Sequence, residues 1–150
     1  MANIKKPHTS PEERIEQMIQ RLKESNHRIT PQRFGILKVL ANSTRHPSAE
    51  TIHSAMIVHY PTMSLATVYK TLALLKQVGE VLELQFSELG NRYDGNHPQP
   101  HPHVICTDCG EILDPSLLDL KKITEKMMRE TGFKIVGHRL DFYGLCPNCQ

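Results

Sequence analysis

Tryptophan is absent from this chain of 150 residues, and aromatic residues make up only 5% of it, so neither half can be built on a large aromatic core. Long apolar runs are missing as well. No stretch approaches the roughly 20 apolar residues of a membrane span, and the N-terminal Met-Ala-Asn-Ile-Lys-Lys-Pro-His holds no apolar run of signal-peptide length. The expectation is a cytoplasmic protein with no membrane partner. Internal repeats and low-complexity tracts are also lacking, which excludes solenoids and fibrous arrays. The length allows one ordinary domain or two small ones.

Cysteine is scarce, yet its placement is informative. All four cysteines fall in two C-x2-C knuckles, Cys106-Thr107-Asp108-Cys109 and Cys146-Pro147-Asn148-Cys149. Paired knuckles supply the four thiolates of a closed tetrahedral zinc site, with Zn–S bonds of about 2.3 Å and no open position for substrate. Two disulfides are the competing reading, which adjacent pairs in a chain without a secretory signal disfavour. His101 and His103 stand just before the first knuckle. Four thiolates already fill a tetrahedral shell, so these histidines belong to something else. If the segment is extended, as Val104-Ile105 suggests, both side chains leave on one face. Two imidazoles on one face begin a site for a metal of borderline hardness, although a His-x-His in a Pro-rich loop standing alone is more often solvated.

The net charge of +2 conceals an asymmetry. Met1 to Gly79 carries 11 Lys or Arg against 5 Asp or Glu, whereas Glu80 to Gln150 carries 7 against 11. The first half suits a polyanion and the second offers carboxylates to cations. Ser10-Pro11-Glu12-Glu13 is a capping box that opens a helix with Ile15, Met18, Ile19 and Leu22 on one stripe. Thr30-Pro31 opens a second helix with Phe34, Leu37, Leu40 and Ala41 inward, and Ser48 a third with Ile52, Ala55 and Met56 inward. Ser64 caps a fourth, which buries Val68, Leu72 and Leu75 and ends at Gly79. Its first turns expose Ala66, Thr67, Tyr69 and Lys70, with no carboxylate on that face to repel phosphate. Val81 to Phe86, a turn over Ser87 to Gly90, and Asn91 to Asp94 then read as a β-hairpin.

Helices in close succession followed by a hairpin describe a winged helix, whose last helix enters the DNA major groove; a small helical domain that binds protein is the plainer alternative. After a Pro- and His-rich linker, Val104-Ile105 and Glu111 to Leu113 read as short strands. A helix is expected from Asp114-Pro115 to Gly132 with Leu117, Leu120, Ile123, Met127 and Met128 on its apolar stripe. Phe133 to Val136 and His138 to Leu145 complete a small sheet. The fold class is therefore α+β: a winged-helix DNA-binding domain over residues 1–94, a hinge over 95–102, and an α/β dimerisation and metal-binding domain with structural zinc over 103–150. The second half has more apolar surface than one helix can cover, so a homodimer is expected.

Arg28-Ile29-Thr30-Pro31-Gln32-Arg33, His46-Pro47, Ser64-Leu65-Ala66-Thr67-Val68-Tyr69, His101-Pro102-His103 and the two knuckles resemble, in order and spacing, the ferric uptake regulator superfamily of bacterial metal-dependent repressors. The resemblance runs from about Ile15 to Cys149. It implies a homodimer on double-stranded operator DNA, with no small-molecule substrate and no enzymatic activity. Carried over position by position, it implies regulatory-metal ligands at His46, Asp94, His101, His103 and Asp114. It further implies DNA contacts from Arg28, Thr30, Gln32, Arg33, Ser64, Ala66, Thr67, Tyr69 and Lys70. Tyr69 would meet a thymine methyl, and Lys70 and Arg33 would neutralise phosphates.

Three imidazoles and two carboxylates suit Fe(II) or Mn(II), with zinc at the cysteines. Asp rather than Glu at position 114 resembles the peroxide-sensing branch. So does the lack of ligands at Pro100, Pro102 and Lys121, where iron sensors carry an extra site and only His138 is suitable here. That branch implies iron-catalysed oxidation of His46 or His101 by peroxide, followed by metal loss and release of DNA. The alternatives are an iron- or zinc-responsive uptake repressor, a redox switch through Cys106 or Cys109, a metalloenzyme, and a zinc-stabilised protein-interaction module. His8, His27, His53 and His59 are expected not to be ligands; His97, in the linker close to Asp94, either replaces a ligand or is solvated, the latter being favoured, and His138 is a vestigial ligand or, by preference, a strand residue.

Overall fold

Ser10 caps the first helix as its sequence demands. Its Oγ accepts the Glu13 amide at 3.1 Å while the Glu13 carboxylate accepts the Ser10 amide at 2.9 Å, so two of the helix's unsatisfied donors are met reciprocally. The computed structural model describes residues 9–86, 90–115 and 119–150, which form two compact units that divide after Pro98. The first unit holds α1 (Pro11–Glu24), α2 (Pro31–Asn42), α3 (Ala49–Met56), α4 (Leu65–Gln77), β1 (Leu82–Leu84) and β2 (Arg92–Asp94). Thr30, Ser48 and Ser64 cap α2, α3 and α4, each accepting an amide three residues on.

Met18, Leu22, Ile36, Leu37, Ile52, Val68 and Leu75 are fully excluded from solvent and form the core of the first unit. Each contributes roughly 1.5–3 kcal/mol by burial. Two details differ from the periodic reading. Ile36 rather than Phe34 fills the centre of α2, while Phe34 is half-buried beneath the Lys38 ammonium, 5.0 Å from its ring centre. On α3, Ala49 is buried and Ala55 exposed, because Ile52 and Met56 already define a face that Ala49 completes one turn earlier. Strands β1 and β2 pair antiparallel with Leu82 opposite Asp94. Of the turn between them only Gly90, at φ +70°, lies among the described residues.

Arg14 is the buried charge of α1, only 4% exposed. Its Nη1 donates to the Glu80 carboxylate at 2.6 Å, Nη2 to the Glu80 carbonyl at 2.8 Å, and Nε to the Gly95 carbonyl at 2.6 Å. One side chain thus ties α1 to the residue before the hairpin and to the residue after it. Gly95 itself passes so close to α2 that a Cβ there would come within 2.7 Å of Leu40 Cβ.

The second unit contains β3 (His103–Cys106), β4 (Ile112–Leu113), α5 (Leu120–Thr131) and β5 (Asp141–Gly144). The sheet order is β4-β3-β5, with β4 antiparallel and β5 parallel to β3. Asp119 caps α5, and Gly132, left-handed at φ +71°, ends it. Asp114-Pro115 is therefore not the helix start, and the expected Leu117 lies outside the described residues. The apolar stripe of α5 does not cover the sheet: Ile123, Met127 and Met128 remain exposed. Phe133 to Val136 is no strand, and His138 lies in the same irregular stretch. A strand needs an edge to pair with, and Phe133 and Val136 stay 74% and 93% exposed. No described helix is long and apolar enough to cross a membrane.

Candidate functional site

The parallel pairing of β3 with β5 sets Cys106 opposite Gly144, so both knuckles leave the same end of neighbouring strands. Thr107 N donates to the Gly144 carbonyl at 2.9 Å and Gly110 N to the Cys106 carbonyl at 3.0 Å, closing the first turn. One Sγ from each of the four cysteines lies within 4.8 Å of the others, and Cys109 and Cys146 are separated by 3.7 Å. None forms a disulfide. Sulfurs at the corners of a tetrahedron with bonds of about 2.3 Å stand roughly 3.8 Å apart, so the cluster fits zinc. Amides of Cys109 and Cys146 hold the Cys106 thiol down to about 6, whereas contact with the Cys146 side chain pushes Cys149 up. Four thiols gathered this closely ionise together only around a cation.

Within the first unit, His46 and Asp94 meet at the loop after α2 and the end of β2. His46 is buried and left-handed at φ +49°, a conformation that costs a non-glycine residue about 1 kcal/mol or more and needs outside support. Tyr93 N donates to the Pro47 carbonyl at 3.0 Å, and the Asn96 side-chain amide donates to the Ser43 carbonyl. These straps bring His46 Nε2 to 3.2 Å from Asp94 Oδ2. The other carboxylate oxygen, Oδ1, accepts the amides of Asn96 and His97 at 2.8 and 2.9 Å.

Within the second unit, His101 and His103 both turn Nε2 toward Asp114 Oδ1, at 3.6 and 3.8 Å, with ring centres 4.4 Å apart. Their opposite nitrogens are engaged elsewhere. His101 Nδ1 lies 2.7 Å from the Gln99 carbonyl, and His103 Nδ1 lies 3.4 Å from Asp141 Oδ1. A carbonyl and a carboxylate accept only, so a proton on each Nδ1 would leave the Nε2 lone pair on the Asp114 side, available to a cation. Two donors on one divalent ion with bonds of about 2.1 Å stand roughly 3–3.5 Å apart at adjacent corners, and up to about 4.2 Å at opposite ones. Each unit's imidazole–carboxylate pairs have spacings that suit such an ion.

On the DNA-facing candidates, the structure adds one group that the sequence reading missed. Tyr69 Oη donates to Glu50 Oε1 at 2.7 Å, so a carboxylate from α3 does stand at the exposed face of α4. The bond holds Glu50 below the usual carboxylate range and raises Tyr69. Ala66, Tyr69, Lys70 and Arg28 are exposed. Thr30 and Ser64 are the caps of α2 and α4, Thr67 donates its amide to Ser64, Gln32 is half-buried, and Arg33 Nη1 donates to the Arg28 carbonyl at 2.7 Å. His53 Nε2 lies 2.8 Å from the Met63 carbonyl, a packing role. Asp141 and Arg14 were legible only once distant strands and helices were brought together.

Known proteins resemble this chain in sequence and in fold. The chain is 39% identical over 136 residues to the peroxide operon regulator of Bacillus subtilis (strain 168), covering 91% of this chain and 93% of that one. Its fold matches the ferric uptake regulator of Helicobacter pylori with a TM-score of 0.78 at 24% identity, over 93% of both chains. The solved PerR of Streptococcus pyogenes, a protein of peroxide sensing and gene regulation, is 37% identical over 91% of this chain and 92% of its own, with a TM-score of 0.52. The sequence pattern of the ferric uptake regulator family spans residues 24–143, and with it the chain is placed: it belongs to the ferric uptake regulator family.

Proposed function

We propose that the chain is a metal-dependent transcriptional repressor that binds operator DNA as a homodimer and is released by peroxide through iron-catalysed oxidation of a ligand histidine. The observation that carries this reading is the donor chemistry: His46 with Asp94 in one unit, His101 and His103 with Asp114 in the other, each spaced for a divalent ion. Together they offer three imidazoles and two carboxylates to one Fe(II) or Mn(II). Ligands contributed by both units make their relative angle depend on the metal, and a fixed angle lets two α4 helices reach successive major grooves. The cysteine cluster holds zinc and keeps the small second unit folded.

When bound, Fe(II) would supply the redox chemistry that turns hydrogen peroxide against a neighbouring imidazole, which Mn(II) would not, and the ring itself would give up the two electrons of the net oxidation. In net terms the His46 or His101 ring gains one oxygen atom and peroxide leaves as water. An oxidised ring is a poorer donor, so the ligand set loosens and the fixed angle is lost. Relatives that respond to peroxide support the reading. The exposed Ile123, Met127, Phe133, Val136 and Phe142 support a homodimer, since a monomer rarely leaves so much apolar surface in water. The test is selection of duplexes from a random pool by the full chain loaded with Mn(II). We expect enrichment of an inverted repeat, with affinity that falls steeply with salt and disappears on chelation. A pool that shows no enrichment contradicts the reading.

A further inference from the structure

The first unit holds a second imidazole beside Asp94. His97 Nδ1 lies 3.9 Å from Asp94 Oδ2, the same oxygen that His46 Nε2 approaches at 3.2 Å. Asp94 cannot turn away, because Oδ1 is held by the amides of Asn96 and His97. The Asn96 side chain in turn fastens this segment to the Ser43 carbonyl, at the start of the loop that carries His46. Gly95 is anchored by Arg14. Two imidazoles near the same fixed carboxylate oxygen therefore belong to one braced framework. The His97 side chain is 29% exposed, against 3% for His46 and 5% for Asp94, so the cluster is open to solvent at His97 and closed behind it.

We propose that His97 is a metal ligand, and that His46, Asp94 and His97 form a three-donor site inside the first unit that holds a borderline divalent cation such as Fe(II), Mn(II) or Co(II) without the second unit. Asp94 Oδ2 has one imidazole nitrogen at 3.2 Å and another at 3.9 Å, and closure of the His97 ring brings the three donors onto one ion. The site takes metal from solvent through its open side and retains it when the donors of the second unit are lost. The inference rests on the proposed role of His46 and Asp94, and it extends the donor set to a residue that the regulatory set of five leaves out.

The test is Co(II) binding to the full chain with its cysteine site filled by zinc, read by visible absorption and by competition with a coloured chelator. The variants are His101→Ala/His103→Ala, with and without a further His97→Ala or His97→Asn. We expect the double variant to keep one Co(II) at lowered affinity, and either His97 change to weaken that affinity by about tenfold or more. Circular dichroism checks that each variant folds. Equal Co(II) affinity with and without His97 in the double-variant background, including no binding in both, overturns the proposal while leaving the five-ligand reading intact if the parent chain binds Co(II). A parent chain that takes up no Co(II) beyond its zinc overturns both.

Discussion

His103 and Asp141 are neighbours across parallel strands, with imidazole Nδ1 and carboxylate Oδ1 3.4 Å apart, and the other oxygen of Asp141 accepts from Arg139 Nε at 2.5 Å. The pair follows from register, because β3 and β5 set residue 103 opposite 141. Arg139 holds the carboxylate in place, and the carboxylate orients the His103 ring from its Nδ1 side. Asp141→Asn keeps the shape but weakens that control. It is expected to lower Mn(II) affinity about 10- to 100-fold in a chelator competition while zinc content stays unchanged. Unaltered Mn(II) affinity would reduce Asp141 to a strand residue.

Arg14 and Glu80 make a buried pair whose loss takes from the carboxylate its nearer and better buried cation. Arg14→Ala is expected to destabilise the chain by about 3 kcal/mol in urea unfolding. A loss below about 1 kcal/mol would show that water or Arg21, 3.5 Å from the same carboxylate, replaces it.

Glu50 stands where DNA phosphates and bases are expected, holding the hydroxyl of Tyr69. Glu50→Gln removes the charge but keeps an acceptor. It is expected to raise affinity a few-fold on operator and random duplex alike. Glu50→Ala releases the ring as well, and is expected to narrow the ratio of operator to random-duplex affinity. If both variants behave identically in a salt-controlled titration, Glu50 acts by charge alone.

The cysteine cluster predicts one tightly held zinc per chain and four thiols that react only after the zinc is stripped. Cys149→Ser is expected to lower the melting temperature by several degrees and to abolish stoichiometric zinc. Full thiol reactivity in the untreated protein would contradict a zinc-filled cluster.

How much of this was legible beforehand depended on whether the determining contact was local. The caps at Ser10, Thr30, Ser48 and Ser64, the stripe of α1 and the two knuckles are each written within a few residues; the structure bears out the caps and the stripe and gathers the four cysteine sulfurs. Arg14 reads as one more polar residue of an amphipathic helix, since its partner Glu80 lies 66 positions away. Asp141 acquires meaning only from the register of β5. Glu50 sits on a different helix from Tyr69, so the face of α4 looked free of carboxylates until α3 was packed beside it. Phe133 to Val136 is rich in strand-forming residues, yet pairing depends on an edge that the sequence does not name, and the segment stays irregular here.

The central claim is that peroxide acts on a ligand histidine only when iron is present. The most direct measurement loads the protein anaerobically with one equivalent of Fe(II) or Mn(II), binds it to operator, adds a low concentration of hydrogen peroxide, and follows DNA release and peptide mass. The account predicts that the Fe(II) form alone leaves DNA and gains one oxygen on the peptide holding His46 or His101. If both forms stay bound and unmodified, the protein reports metal concentration, and Asp114 is not the mark of a peroxide sensor.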